Sequence, residues 1–154
     1  MEVTRLSDSL GAKISGVDLG NIDSETATKI RDSFHEHQVL LFRDQDISME
    51  QHISFSKNFG PLEVHISKDS LHKDHEEILL VSNMKKNGEY IGVENAGDAW
   101  HSDLSYMPEP SLGSLLYALE VSEVGGDTEW LNMYDAYDAL PKNTKERVDG
   151  LKAR

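Results

Sequence analysis

The sequence predicts an α+β fold that is mainly β, with helices flanking the sheet on its N-terminal side. Two helix-capping patterns in the first sixty residues enclose a short apolar run, which is typical of a helix, a strand and a second helix. Residues 113–131 contain two strand-like stretches on either side of Gly125-Gly126, a pattern that predicts a hairpin. A chain of 154 residues with 38% apolar content can form one core, so we expect a single domain over residues 1–154.

The first half of the chain begins with one or two short strands around Gly11 and Gly16. Ser24 then caps a predicted helix over residues 24–37. The apolar run at residues 39–42 is typical of a buried central strand.

A second helix is predicted to begin at a capping box formed by Ser48 and Gln51 and to end at a Gly-Pro pair. Residues 66–98 are polar and predict long loops, with a strand only at residues 78–81.

The last third of the chain predicts a strand at residues 113–121 and its hairpin partner at residues 127–131. Asn132 caps a helix that extends to residue 140, and a shorter helix follows over residues 143–149.

The charge of the chain restricts its partners. It has 28 acidic and 15 basic residues and a net charge of -13, which repels phosphate backbones and anionic lipids. We therefore expect no nucleic-acid and no membrane partner. Neither a spanning run nor a signal sequence is visible, so a cytoplasmic location is expected, while a homo-oligomer is left open. Because cysteine is absent, a metal ion would be held by histidine, carboxylate or water.

The chemistry of the chain is concentrated at Trp100-His101-Ser102-Asp103. In an extended segment, side chains two residues apart point to the same face, so His101 and Asp103 can offer a nitrogen and an oxygen to one ion. Such a pair is two-thirds of the 2-His-1-carboxylate triad of non-haem Fe(II) oxygenases. The alternative is a structural histidine that is hydrogen-bonded to a neighbouring carboxylate on a sheet face.

The stretch WHSDLSYMPEPSLGSLLYALEVSEVGGDTEW, with VLLFRDQDIS and FGPL upstream, resembles the TauD/TfdA family over residues 11–154. The resemblance implies an incomplete double-stranded β-helix, or jelly-roll, with flanking N-terminal helices. It also implies an oxidoreductase that uses Fe(II), 2-oxoglutarate and O2 to oxidise a small organic substrate, most simply an acidic one, with release of succinate and CO2.

The resemblance also implies roles for single residues. His101 and Asp103 match the first two iron ligands, and Thr128 in the Gly-Gly-Asp-Thr turn matches the hydroxyl that helps to bind the distal carboxylate of 2-oxoglutarate. The alternative for Thr128 is a hairpin residue.

Three further residues match substrate-binding positions of the family. His65 in FGPLEVH resembles the histidine that contacts the acidic group of the substrate, and Leu104 and Tyr106 match residues that line the pocket. The alternatives are a solvated loop histidine and two core side chains.

The third iron ligand of the family is a downstream histidine, followed by an arginine that clamps 2-oxoglutarate, yet no histidine follows His101 in this sequence. We therefore expect a domain that is truncated at its C-terminus, with the activity belonging to the full-length parent. Two other functions stay open. One is a catalytically inactive remnant that acts in binding or structure, and the other is a metal-dependent hydrolase in which Zn2+ activates water.

Overall fold

The computed structural model describes residues 1–94 and 96–152, which form two compact units. One unit comprises residues 1–46 together with the chain from residue 118 onward, and the other comprises residues 47–117. The described residues contain short sheets and short helices, in agreement with the α+β class, and no closed barrel is found among them. Within these same ranges, no helix combines the length and the apolar character needed to span a bilayer.

The first unit is built on a three-stranded sheet. Strand β1 (Glu2–Arg5) pairs antiparallel with β2 (Ala12–Ser15), and β2 pairs parallel with β3 (Leu40–Phe42). Helix α1 (Ser24–His37) connects β2 to β3 and packs against both strands. A parallel pair needs such a crossover, because the chain must return to the same end of the sheet.

The core of this unit lies between α1 and β2. Ala27 and Ile30 of the helix are buried, as are Ala12 and Ile14 on one face of the strand. These apolar side chains recur at helical spacing in α1 and at alternate positions in β2, which is how each element presents one face to the other.

Helix α1 occupies the predicted residues, but its cap lies one residue earlier than predicted. The Asp23 carboxylate, rather than Ser24, accepts a hydrogen bond of 2.7 Å from the backbone N–H of Thr26. This bond stabilises the ionised form and lowers the pKa of Asp23. An aspartate and a serine in sequence are both good caps, and local sequence does not decide between them.

The prediction of a buried central strand at residues 39–42 was wrong in its position. Strand β3 forms there, but it lies at the end of the order β1-β2-β3 and its residues are half-buried. An apolar run predicts that a strand forms, whereas strand order depends on which partner the sheet supplies.

The second unit begins with α2 (Met49–Ser56), which carries the predicted capping box. Ser48 Oγ accepts from the Gln51 N–H at 3.2 Å, and the Gln51 side chain accepts from the Ser48 N–H at 2.8 Å. A 3-10 turn at Lys57–Phe59 follows, and the chain leaves it at Gly60.

The region predicted as long loops contains two small antiparallel hairpins. In the first, β4 (Leu71–His72) pairs with β5 (His75–Leu79), which overlaps the predicted strand. In the second, β6 (Lys85–Lys86) pairs with β7 (Glu89–Tyr90) across a turn in which two residues have positive φ. The predicted loops were therefore only partly right.

The predicted hairpin over residues 113–131 was wrong. Gly125 and Gly126 do adopt the left-handed backbone of a turn, with φ of 74° each, but no strand is present in these residues. Leu116 and Val124 are 72% and 90% exposed. A sequence with strand character forms a strand only where a partner pairs with it.

The two C-terminal helices agree with prediction. They are α3 (Met133–Asp138) and α4 (Lys142–Val148). Asn132 caps α3 by accepting from the backbone N–H groups of Tyr134 and Asp135, and its amide donates to the Ser9 carbonyl at 2.9 Å. This contact attaches α3 to the loop after β1.

Candidate functional site

The His101-Asp103 pair lies in an irregular segment of the second unit, outside any strand. Residues 101 and 102 have no regular structure, and residues 103–106 form turns, the last of them closed by a hydrogen bond of 2.9 Å from Met107 N–H to the Leu104 carbonyl. The expected extended geometry at this pair was therefore wrong at Asp103. The turn nevertheless brings the two side chains together.

The two side chains face each other through defined atoms. His101 Nε2 lies 3.1 Å from Asp103 Oδ1, and each side chain is 54% exposed. His101 Nδ1 lies 2.7 Å from the Ala99 carbonyl, which can only accept, so Nδ1 carries a proton. In the neutral imidazole the lone pair is then on Nε2, opposite a carboxylate oxygen. Two acceptors at this distance require a proton or a cation between them.

The proton is favoured at this position by the surroundings. The Ala99 carbonyl raises the pKa of His101, and the negative charge of Asp103 raises it further. A proton on Nε2 and a metal ion would occupy the same place, because both bind the nitrogen lone pair.

The pair fits two positions of a metal site. Two ligand atoms about 2.1 Å from one ion and at right angles to each other are about 3.0 Å apart, close to the separation of Nε2 and Oδ1. An imidazole and a carboxylate are suitable ligands for Fe(II). Among the residues the structure describes, no group of three or more potential ligand side chains is assembled. Two potential ligand side chains, those of His101 and Asp103, therefore lie together in this region.

Two serines donate hydrogen bonds to carboxylates around this segment, and neither was predicted from the sequence. Ser114 Oγ donates to Asp103 Oδ2 at 2.6 Å, and Ser111 Oγ donates to Glu63 Oε2 at 2.9 Å. No spacing rule for helices or strands brings residues 103 and 114 together, so only the fold could reveal the first contact.

The remaining predicted substrate residues lie in the same unit. His65 is half-buried and its Nδ1 accepts from the Ser67 N–H at 3.1 Å, which leaves Nε2–H as the donor in the neutral ring. Leu104 is half-buried and has a φ of 50°, a strained value for a bulky side chain that is often found at functional sites. Tyr106 is 66% exposed.

Thr128 belongs to the first unit. It follows the Gly125-Gly126 turn in a segment without regular structure, and it is exposed.

Comparison with known proteins is consistent with this chemistry. The family model described as taurine catabolism dioxygenase TauD, TfdA family matches residues 2–154. The chain is 32% identical to the (S)-phenoxypropionate/alpha-ketoglutarate-dioxygenase of Sphingobium herbicidovorans, over 99% of this chain and 52% of that protein. It is 37% identical to pentalenolactone F synthase of Streptomyces avermitilis, over 100% of this chain and 52% of the relative. The chain therefore spans about half the length of these curated relatives.

The chain is also similar to a solved structure. AAD-2, in complex with Mn(II) and N-oxalylglycine, superimposes with a TM-score of 0.71 at 29% identity. The match covers 97% of this chain and 50% of the other.

Proposed function

The chain belongs to the TauD/TfdA dioxygenase family, and we propose on that premise that it supplies two iron ligands of an Fe(II)- and 2-oxoglutarate-dependent dioxygenase. The substrate class is a small organic acid, and the products of the cosubstrate are succinate and CO2. The observation that carries the proposal is the separation of 3.1 Å between His101 Nε2 and Asp103 Oδ1, with Nδ1 held by a backbone carbonyl.

In the proposed iron site, His101 and Asp103 would hold the ion through Nε2 and Oδ1. When bound, Fe(II) and 2-oxoglutarate would supply the oxidation of the substrate by O2. Ala99 orients the imidazole. A cation between His101 Nε2 and Asp103 Oδ1 would remove the electrostatic repulsion between these two acceptor atoms. Thr128 would donate its hydroxyl hydrogen to the distal carboxylate of 2-oxoglutarate, a charge-assisted hydrogen bond.

The proposed substrate site uses His65, Leu104 and Tyr106. The Nε2–H group of His65 is available to donate to an acidic group, because Nδ1 already accepts from Ser67. Leu104 and Tyr106 would bracket the apolar body of the substrate. The acid class is supported by the relative named for phenoxypropionate.

We place the chain in one jelly-roll domain, on the basis of family membership and the likeness to a solved dioxygenase. The net charge of -13 supports a protein without nucleic-acid or membrane partners, because it repels phosphates and anionic lipids. A cytoplasmic location is part of the same proposal, and self-association is left to measurement.

The test is anaerobic addition of Fe(II) and then 2-oxoglutarate to the product of the native gene. We expect a weak visible absorption band from the metal-bound cosubstrate in the wild type and in His35→Ala, a control histidine exposed on α1. His101→Ala and Asp103→Ala should both lose the band. If the band is absent in the wild type while Zn2+ supports hydrolysis of an ester or amide, the protein is a hydrolase and the proposal is wrong.

A further inference from the structure

The two oxygens of the Asp103 carboxylate have different partners. Oδ1 faces His101 Nε2 at 3.1 Å, and Oδ2 accepts a hydrogen bond of 2.6 Å from Ser114 Oγ. A hydroxyl has one hydrogen to donate, and an ionised carboxylate can only accept, so the direction of this bond is fixed. The length of 2.6 Å is that of a charge-assisted bond between a hydroxyl and a carboxylate.

Packing does little to orient Asp103. Its side chain is about half exposed, and the preceding residues 96–102 contain no helix or strand. A carboxylate in such surroundings rotates among several rotamers unless a hydrogen bond selects one. Ser114 supplies that bond from a position eleven residues away in sequence.

The two proposed ligands therefore have equivalent support. The Ala99 carbonyl fixes the imidazole of His101 through Nδ1, and Ser114 fixes the carboxylate of Asp103 through Oδ2. In each case the supporting atom contacts the side-chain atom that does not face the other proposed ligand. Such outer contacts orient metal ligands, and their loss typically lowers metal affinity about 10- to 100-fold.

We propose that Ser114 is a positioning residue that orients the Asp103 carboxylate toward His101 and so sets the metal affinity of the pair. This inference rests on the proposed function, because it takes Asp103 to be a metal ligand.

The chain offers a matched control three residues earlier. Ser111 lies on the same segment and also donates its hydroxyl hydrogen to a carboxylate, but its partner is Glu63. Replacing Ser111 removes the same chemical group and the same kind of hydrogen bond without touching Asp103.

The experiment measures Mn(II) binding to the 154-residue chain by the electron paramagnetic resonance signal of free Mn(II). We expect Ser114→Ala to weaken binding by about 10-fold or more. Ser114→Thr retains the hydroxyl and should restore affinity to near the wild type, and Ser111→Ala should leave affinity unchanged. The metal-free melting temperatures of the two alanine variants should be alike, because both serines make partly solvated hydrogen bonds.

The outcomes separate the inference from its premise. If His101→Ala weakens Mn(II) binding but Ser114→Ala behaves like Ser111→Ala, the role of Ser114 is wrong and the proposed function stands. If Ser114→Ala lowers the metal-free melting temperature and Ser114→Thr does not recover binding, Ser114 is merely structural and the inference is overturned. If His101→Ala binds Mn(II) as tightly as the wild type, the proposed function fails, and the inference fails with it.

Discussion

Two regions of the chain, residues 1–46 and residues 96–131, differ in how their side chains are held in place. In the first region, β2 and α1 bury Ile14 and Ile30 against each other, and Ile30 is 0% exposed. In the second, large apolar side chains such as Trp100 and Val124 are exposed, and the proposed ligands are held by single hydrogen bonds. The buried core therefore lies in the first region, whereas the proposed ligands lie in an exposed part of the chain. Substitutions in the core of the first region should therefore lower the free energy of unfolding, whereas substitutions of the proposed ligands should lower activity with little effect on stability.

The largest effect is expected at the proposed ligands. His101→Ala or Asp103→Ala should abolish 2-oxoglutarate turnover by the native gene product, because each removes one protein bond to the metal. Both side chains are about half exposed, so the free energy of unfolding should change by only about 0.5 kcal/mol. Succinate release and urea denaturation measure the two quantities. Wild-type turnover in either variant would contradict the iron assignment.

Several helices could be predicted from sequence, because their signals are local. The capping box of Ser48 and Gln51 and the cap at Asn132 each involve residues within three positions of each other, and the helices they start are present. The order of β3 in the sheet and the absence of a strand in residues 113–131 depend on distant partners, so the sequence pattern did not reveal them.

The candidate site follows the same rule. The spacing of His101 and Asp103 suggested the pair, and the structure brings the two side chains within 3.1 Å. Ser114 was not predicted, because a turn and an irregular segment, rather than a helix or a strand, bring it close to Asp103. The roles of Thr128, His65, Leu104 and Tyr106 stay predictions.

The second effect concerns the buried core of the first region. Ile30→Ala should lower the free energy of unfolding by about 2 to 5 kcal/mol, because it removes apolar atoms and leaves a cavity against β2. Val124→Ala is the matched control in the exposed region, where a change within about 0.5 kcal/mol is expected. Urea denaturation of both variants gives the comparison, and equal losses would show that residue 124 is buried in solution.

The third effect concerns the cosubstrate. Thr128→Val keeps the shape of the side chain but removes the hydroxyl, so the hydrogen bond to the distal carboxylate is lost. Such a bond to a charged group is worth roughly 1.5 to 3 kcal/mol. The KM for 2-oxoglutarate should rise by about tenfold or more, while that for the organic substrate changes little. An unchanged KM for 2-oxoglutarate would show that Thr128 does not bind the cosubstrate and has a structural role instead.

The smallest effect is expected at a contact that joins α2 to the segment bearing Ser114. The half-buried ring of His52 on α2 packs against Tyr117, with ring centroids 5.9 Å apart, and its pKa is affected by the Leu115 backbone. Burial lowers the pKa of His52, and the hydrogen bond to Leu115 opposes this only in part.

The sign of the pH dependence follows from this lowered pKa. Below the usual histidine pKa of about 6.5, the unfolded chain binds a proton that folded His52 does not, so stability falls as the pH drops from there through the lowered folded value. His52→Gln should remove this part of the loss. We expect the urea midpoint to fall less between about pH 7.5 and about pH 5.5 in His52→Gln than in the wild type. His35→Gln, on the exposed face of α1, should behave like the wild type. Parallel curves for all three proteins would mean that His52 is solvated, and that the packing between α2 and residues 115–117 is weaker than the ring contact indicates.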